Sequence, residues 1–357
     1  MQLIELDIQG VRNLSEAHLT PSPGLNVIAG PNASGKTSLL EAIGLLSTAR
    51  SFRTPRIARV IQHAQDWLQV VGQVAGPGAR VQRIGLRRDA RQSVIRIDGE
   101  TVKLGSRLAR CFPVQVITPA SHELLEQGPK FRRRFLDWGL FHVEHAYHGA
   151  WQDYMRLLRQ RNAVLRLGDA RQLPHWDRLL AEKGEQLDRL RVAHLAGFES
   201  LFAAHGARLL DQKVSIRYRR GWDAELDLHQ ALGKGRESDL HRGFTQIGPH
   251  RMDLVFRSEA GPARETFSRG QQKLLVAAAR LAQVQLVDQS AGIKTVLLVD
   301  DVAAELDRTR RQRLMDLLRG LQTQVFVTAT EAELLPVSGW ETVKMFHVEH
   351  GVVREVV

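Results

Sequence analysis

Gly30-Pro31-Asn32-Ala33-Ser34-Gly35-Lys36-Thr37 fits the pattern G-x-x-x-x-G-K-[ST] at every position. An apolar run, Leu25 to Ala29, precedes it, and Ser38 to Leu46 follows with Leu39, Leu40, Ile43 and Leu46 at helical spacing. The order strand, glycine-rich loop, helix is what a phosphate cradle requires. Glycines let the backbone close around phosphate oxygens, and amides at a helix start offer donors and the positive end of the helix dipole. Lys36 is expected to grip the β and γ phosphates, Thr37 to place its hydroxyl on Mg²⁺, and Pro31, Asn32, Ala33 and Ser34 to line the cradle. Residues 30–37 therefore predict an ATP or GTP site.

Such a loop needs an acidic partner at the end of a neighbouring strand. Thr295-Val296-Leu297-Leu298-Val299-Asp300-Asp301 supplies it, with Asp300 the metal ligand and Asp301 the group that polarises the attacking water. Further outward, Ile4, Leu6 and Ile8 alternate with Glu5 and Asp7 as in a half-buried strand, and Leu68–Val74, Val81–Leu86 and Val94–Ile97 predict an antiparallel meander. Asp253–Phe256, Thr295–Val299 and Val325–Thr328 read as strands, and Gly270–Val287 and Arg308–Leu321 as helices. Continuous Val and Leu runs between helices predict a parallel sheet covered on both faces, so the fold class is α/β and the outer thirds rejoin. Between Lys130 and Asp211 lies a helical arm, with Trp176, Leu180, Leu187, Leu190, His194, Phe198 and Phe202 at spacings of three and four. Gly168-Asp169 and Pro174 separate its two main helices. The expected segments are 1–125, 126–240 and 241–357.

Composition narrows the partners. The 357 residues suffice for about two domains. Fifty Lys and Arg against 39 Asp and Glu leave a net charge of +11, which favours a polyanion such as nucleic acid. Residues 50–110 hold 13 basic and 4 acidic side chains, and 130–220 hold 18 and 10. Arg83, Arg87, Arg88 and Arg91 in the meander, and Arg132, Arg133 and Arg134 at the arm base, are the expected DNA phosphate contacts. A single cysteine, Cys111, excludes an internal disulfide and suits a reducing compartment. The opening MQLIELDIQG lacks the charge pattern of a secretory signal, and no apolar stretch is long enough to span a bilayer, so a cytoplasmic protein without membrane contact is expected.

Phe267-Ser268-Arg269-Gly270-Gln271-Gln272 stands before a helix, with Ser268 placed as its cap. The block resembles the S-x-G-Q signature of ABC-type ATPases, and Ala304-Glu305-Leu306-Asp307 looks like their D-loop. The set implies an ABC/SMC-type P-loop ATPase head with a β-meander lobe and an inserted helical arm. Within that class the chain resembles the RecF family of bacterial DNA replication and repair proteins. That likeness rests on GPNASGKTSLLEAI, RSFR at Arg50 to Arg53, ITPASHELLEQGP from Ile117, RRRFLDWGLFHVE from Arg132, TQIGPHRMDL from Thr245, FSRGQQKLL from Phe267 and LLVDDVAAELD from Leu297.

The resemblance implies an ATP-dependent homodimer in which Ser268, Gly270 and Gln271 of one copy, with Asp307, complete the ATP and Mg²⁺ site of the other, Ser268 acting in trans. It further implies binding to single-stranded DNA and to duplex near gaps, work with RecO and RecR in loading RecA, support of SOS induction, and a weak, DNA-stimulated ATPase. Two departures stand out: Asp301 replaces the usual Glu, which implies slow hydrolysis, and no His follows Val325–Thr328, leaving Thr328 or Thr330 as substitutes. The alternatives are a non-hydrolysing, nucleotide-dependent scaffold or another ABC/SMC-type repair ATPase. A small-molecule kinase has no use for FSRGQ, and a transporter subunit does not fit the basic balance. The repeated FHVEH at Phe141 and Phe346 predicts no metal site, and His250 reads equally as functional or structural.

Overall fold

Runs of Val, Leu and Ile with no polar alternation form the centre of one sheet in the computed structural model, which describes all residues except 64, 77, 79, 104, 302–305 and 357. In chain order, β1 (Gln2–Val11) and β2 (Leu14–Leu19) pair, and β3 (Leu25–Ala29) runs into α1 (Lys36–Thr48). β4 (Trp67–Ala75), β5 (Val81–Asp89), β6 (Ser93–Ile97) and β7 (Glu100–Val102) follow, then α2 (Gly105–Cys111) and β8 (Val114–Ile117). The helices α3 (Glu123–Glu126), α4 (Pro129–Val143), α5 (His145–Leu167) and α6 (Leu173–Leu210) lead to β9 (Val214–Arg219) and α7 (Leu228–Arg242). β10 (Asp253–Ser258), β11 (Gly261–Pro262), α8 (Ala263–Thr266) and α9 (Arg269–Ala291) come next. The chain closes with β12 (Val296–Val299), α10 (Arg308–Gly320), β13 (Val325–Ala329), β14 (Val343–Glu349) and β15 (Val352–Val356).

Two compact units result: Met1–Ser121 with Val287–Val357, and His122–Leu286. In the first, the sheet β15-β14-β3-β13-β12-β8 is parallel except at the β15 edge, so strands from the two ends of the chain do share one sheet. Every residue of β12 and β13 is buried, as expected of strands covered on both faces. The second sheet, β2-β1-β4-β5-β6-β7, is the antiparallel meander. α1 packs against both: Leu39, Leu40, Ile43 and Leu46 cluster with Leu6, Ile8, Val70 and Leu86 on one side and Leu298 and Phe326 on the other. Burying each such side chain contributes about 1.5–3 kcal/mol. At Gly72 an added Cβ would come 2.8 Å from a Leu46 methyl and 2.9 Å from a Leu3 methyl, so the missing side chain leaves room for helix and sheet to close.

One strand reads differently from its alternation. Leu3 is buried and Ile4 is 37% exposed, because the pairing of β1 with β4 shifts between Leu3 and Glu5. An irregularity of that kind inserts a residue and reverses the inward face.

In the second unit α5 ends at Gly168 with φ 72°, and α6 starts one residue before Pro174, which make the expected break between the arm helices. The core stripe of α6 carries Leu180, Leu187, Phe198 and Phe202, all buried, as the spacing predicts. It also carries charge. Fully buried Arg161 of α5 donates to Asp177 at 2.7 Å, Asp239 at 2.7 Å and Thr245 at 2.7 Å. Buried Arg191 donates to Pro249 O at 2.8 Å and to Asp137 at 3.3 Å. Residues 241–286 cluster with the helices because β10 pairs with β9 throughout its length and Gln283 of α9 donates to Phe135 O at 2.6 Å.

Candidate nucleotide site and basic surfaces

The loop 30–37 adopts backbone angles that few side chains tolerate: Gly30 has φ 152°, Ala33 φ 64° and Gly35 φ 127°. A Cβ on Gly30 would lie 2.1 Å from the Val348 carbonyl, so the loop turns directly against β14. Lys36 is buried, and its ammonium donates to the loop's own carbonyls, Gly30 at 2.8 Å and Pro31 at 2.9 Å. Among the described residues no carboxylate lies in ion-pair range of it. Pro31, Asn32 and Ala33 are exposed at the loop's crest, and Ser34 is buried with its hydroxyl unpartnered among the described residues.

β12 ends beside this loop. Thr37 Oγ1 donates to the Asp300 carboxylate, 3.0 Å from each oxygen, and Thr328 Oγ1 at the end of β13 donates to it at 2.9 Å. The Asp301 N–H donates to the same Thr328 hydroxyl at 2.9 Å, so Thr328 fixes both acids. Asp301 sits at φ 47°, and its Oδ1 is buried with no hydrogen-bond partner among the described residues. Burial pushes the Asp300 carboxyl above the usual range, against the Thr328 and Thr37 hydrogen bonds; Asp301 adds to the rise and Arg53 opposes it. Thr37 and Asp300 face each other with hard oxygen donors, a set that fits a hydrated Mg²⁺.

Sequence reasoning missed a buried hub below the loop. Glu41 of α1 accepts from Arg12 Nε at 2.8 Å and Nη2 at 3.0 Å, from the Ser51 hydroxyl, and lies 3.5 Å from Arg53. A lone Glu among leucines on an otherwise apolar helix was the available signal.

In the second unit, Ser268 and Gln271 open α9 with a reciprocal pair: Gln271 N–H donates to Ser268 Oγ at 3.3 Å and Ser268 N–H to Gln271 Oε1 at 2.9 Å. This capping box leaves Ser268, Arg269 and Gly270 exposed at the helix start. A Cβ on Gly270 would meet nothing within 4 Å. Asp307 caps α10, accepting from Arg310 N–H at 2.8 Å. Ala304 and Glu305 of the D-loop expectation lie outside the described residues.

The basic candidates divide by what holds them. Arg83 and Arg87 are exposed on one face of β5, with Arg87 4.4 Å from the centre of the Trp67 ring; Arg91 is exposed in the turn after it. Arg88 points the other way and donates to Ala49 O at 2.7 Å. Arg132 is engaged internally by Asp253 at 2.6 Å and by the carbonyls of Leu124 and Gln127 at 3.2 and 2.7 Å. Arg133 is half-buried and donates to Met252 O at 2.9 Å, whereas Arg134 is exposed. Arg132 thus helps build its unit instead of facing solvent, since a guanidinium near Asp253 gains more from a fixed carboxylate than from water. His250 is structural in its contacts: Tyr154 Oη lies 2.7 Å from Nδ1 and Thr245 O 3.2 Å from Nε2. The first FHVEH ends α4 and starts α5, while the second lies in β14 and its turn, so the two share no geometry. Among the described residues no helix is long and apolar enough to cross a membrane.

Comparison with known proteins places this geometry in context. The profile for the RecF/RecN/SMC N terminal domain matches residues 2–354. The chain is 43% identical to the DNA replication and repair protein RecF of Thioalkalivibrio sulfidiphilus, over 99% of both chains. It is 44% identical to the protein of the same name from Chromohalobacter salexigens, over 98% of this chain and 99% of that one. A solved structure of the recombination mediator protein RecF with ATP, in the RecFOR pathway, superposes with a TM-score of 0.87 at 26% identity, covering 100% of this chain and 98% of that one. An Smc head domain from Pyrococcus furiosus shares the fold at TM-score 0.62 and 15% identity, over 99% and 96% of the two chains.

Proposed function

The chain belongs to the RecF/RecN/SMC N-terminal domain family, within which its relatives are RecF proteins of DNA replication and repair, and from that premise we propose that it is an ATP-gated, DNA-binding ATPase of recombinational repair. The observation that carries the reading is the loop 30–37 facing Asp300, with Lys36 buried beside neutral carbonyls. A buried ammonium without a counter-charge is stabilised by a triphosphate more than by anything the protein offers it.

In this reading the amides of 30–37 and Lys36 hold the β and γ phosphates, and Thr37 and Asp300 hold Mg²⁺. When bound, that ion would supply charge neutralisation to the phosphates. Asp301 accepts a proton from the water that attacks the γ-phosphorus, as the bond to the β-phosphate oxygen breaks and phosphate and ADP leave. Thr328 keeps Asp300 and Asp301 in register. Asp301 is one methylene shorter than the usual Glu and rests on a strained backbone, which supports slow turnover.

Ser268 and Gly270 are exposed at the start of α9, where the positive end of the helix dipole favours an anion. They would meet the γ-phosphate held by a second copy, with Gln271 beside them and, by family resemblance, Asp307 as a further contributor, so ATP glues the dimer and hydrolysis loosens it. Exposed Arg83, Arg87, Arg91 and Arg134 would take DNA phosphates, single-stranded or duplex near gaps. Action with RecO and RecR in loading RecA, support of SOS induction, and cytoplasmic residence complete the reading, all drawn from the family. Sedimentation of the wild type and Ser268→Arg with ATP tests it: the wild type dimerises with ATP and not with ADP, and the variant binds ATP but stays monomeric. Variant dimers of normal strength would contradict the trans site.

A further inference from the structure

The phosphate cradle is braced from behind by residues far from it in sequence. Asn13, in the turn between β1 and β2, donates from Nδ2 to the Ser34 carbonyl at 2.9 Å, and Gly351 N–H donates to the same oxygen at 2.9 Å. A carbonyl can only accept, so the nitrogen of the Asn13 amide must face it. The other end of that amide accepts the Ser38 hydroxyl at 2.9 Å, which fixes the orientation independently. Gly351 reaches this position because the turn between β14 and β15 has φ 48° at His350 and 78° at Gly351, and its absent Cβ would lie 2.0 Å from Asn13 O.

The peptide joining Ser34 to Gly35 is trans, so its carbonyl and its N–H point in opposite directions. Two donors holding the Ser34 carbonyl on the outer side therefore aim the Gly35 N–H to the inner side. Gly35 is at φ 127° and its own carbonyl accepts the Leu39 N–H at 2.9 Å; a Cβ there would lie 3.1 Å from Asn13 Nδ2. Within the loop itself, the Ser34 N–H donates to Pro31 O at 3.3 Å, a long bond that leaves the Ser34 carbonyl to its two outside donors.

We propose that Asn13 is the positioning residue of the cradle: its amide, seconded by the Gly351 N–H, locks the Ser34–Gly35 peptide so that the Gly35 N–H meets a nucleotide's phosphates. This rests on the reading of 30–37 as the nucleotide site. Ser38 orients the Asn13 amide, and the hairpin of β14 and β15 serves the site although it lies at the other end of the chain.

Titration of the full chain with a fluorescent ATP analogue and Mg²⁺, alongside melting without nucleotide, tests the proposal. Asn13→Ala weakens binding about fivefold to tenfold, equivalent to about 1–1.4 kcal/mol, as expected for one lost preorganising hydrogen bond. The melting temperature without nucleotide stays within about 2 °C. Asn13→Asp, which keeps the acceptor for Ser38 but turns an acceptor toward the Ser34 carbonyl, loses more. Ser38→Ala, which leaves the Ser34 contact to an unoriented amide, loses about threefold. If the wild type binds and both alanine variants bind within twofold of it, the positioning role is overturned while the nucleotide site stands. Loss of affinity matched by a comparable collapse of melting temperature overturns it in favour of a merely structural role. A wild type that fails to bind overturns the site itself.

Discussion

Lys36 and Arg161 are both buried cations, yet their surroundings are opposite. Arg161 is enclosed by Asp177 and Asp239, and its guanidinium charge is answered within its own unit. Among the described residues, Lys36 donates to two carbonyls and Asp300 accepts from hydroxyls alone. The same contrast separates Arg191, set against Asp137 and Tyr147, from Asp301, whose Oδ1 is an orphan among the described residues. Charge that is buried and neutralised holds a fold together; charge that is buried and left unanswered is kept for a ligand.

The largest effect that could break this contrast is at Arg161. Arg161→Ala leaves Asp239 buried without its Arg161 ion pair and Asp177 paired with Arg236. Stability should fall by about 3–5 kcal/mol in urea unfolding, with ATP affinity of the folded fraction unchanged. A loss below about 1 kcal/mol would mean the pair is not what holds α5 to α6 and α7.

Much of this was legible because phosphate chemistry demands local spacing. Residues 30–37, the Asp300-Asp301 pair and the cap at Ser268 each lie within a few consecutive positions, and the elements around them follow from periodicity. What could not be read came from contacts that sequence order hides. Asn13 and Gly351 meet Ser34 only after the sheets form, and Thr328 meets Asp300 only because β12 and β13 are adjacent. On α6 the stripe shows where side chains are buried, but Asp177, Asp188 and Arg191 occupy core positions where the pattern expects apolar residues. Their partners lie on α4, α5, α7, β9 and the segments beyond β9, so no window along the chain reveals them. The irregularity in β1 that turns Ile4 outward likewise depends on its neighbour strand.

A smaller effect sharpens the contrast by acidification. His194 lies on α6 with both ring nitrogens unpartnered among the described residues, and burial pushes its pKa down to about 4. The native state then binds fewer protons than the unfolded chain, so its contribution is full above the unperturbed value of about 6.5 and is lost as pH falls toward 4. His250, also lowered to about 4 chiefly by burial, acts in the same window. Between pH 7.5 and 5 the urea midpoint should fall, with His194 responsible for on the order of 2 kcal/mol. His194→Met removes that share of the slope; an unchanged slope would show that His194 is protonated at no cost.

The most direct measurement is ATP affinity and melting temperature of Lys36→Ala beside the wild type. The unanswered ammonium predicts a loss of about a hundredfold in affinity, with the melting temperature without nucleotide unchanged to within about 2 °C. Unchanged affinity, or a collapse of stability like that expected at Arg161, would contradict the assignment of 30–37 as a ligand site.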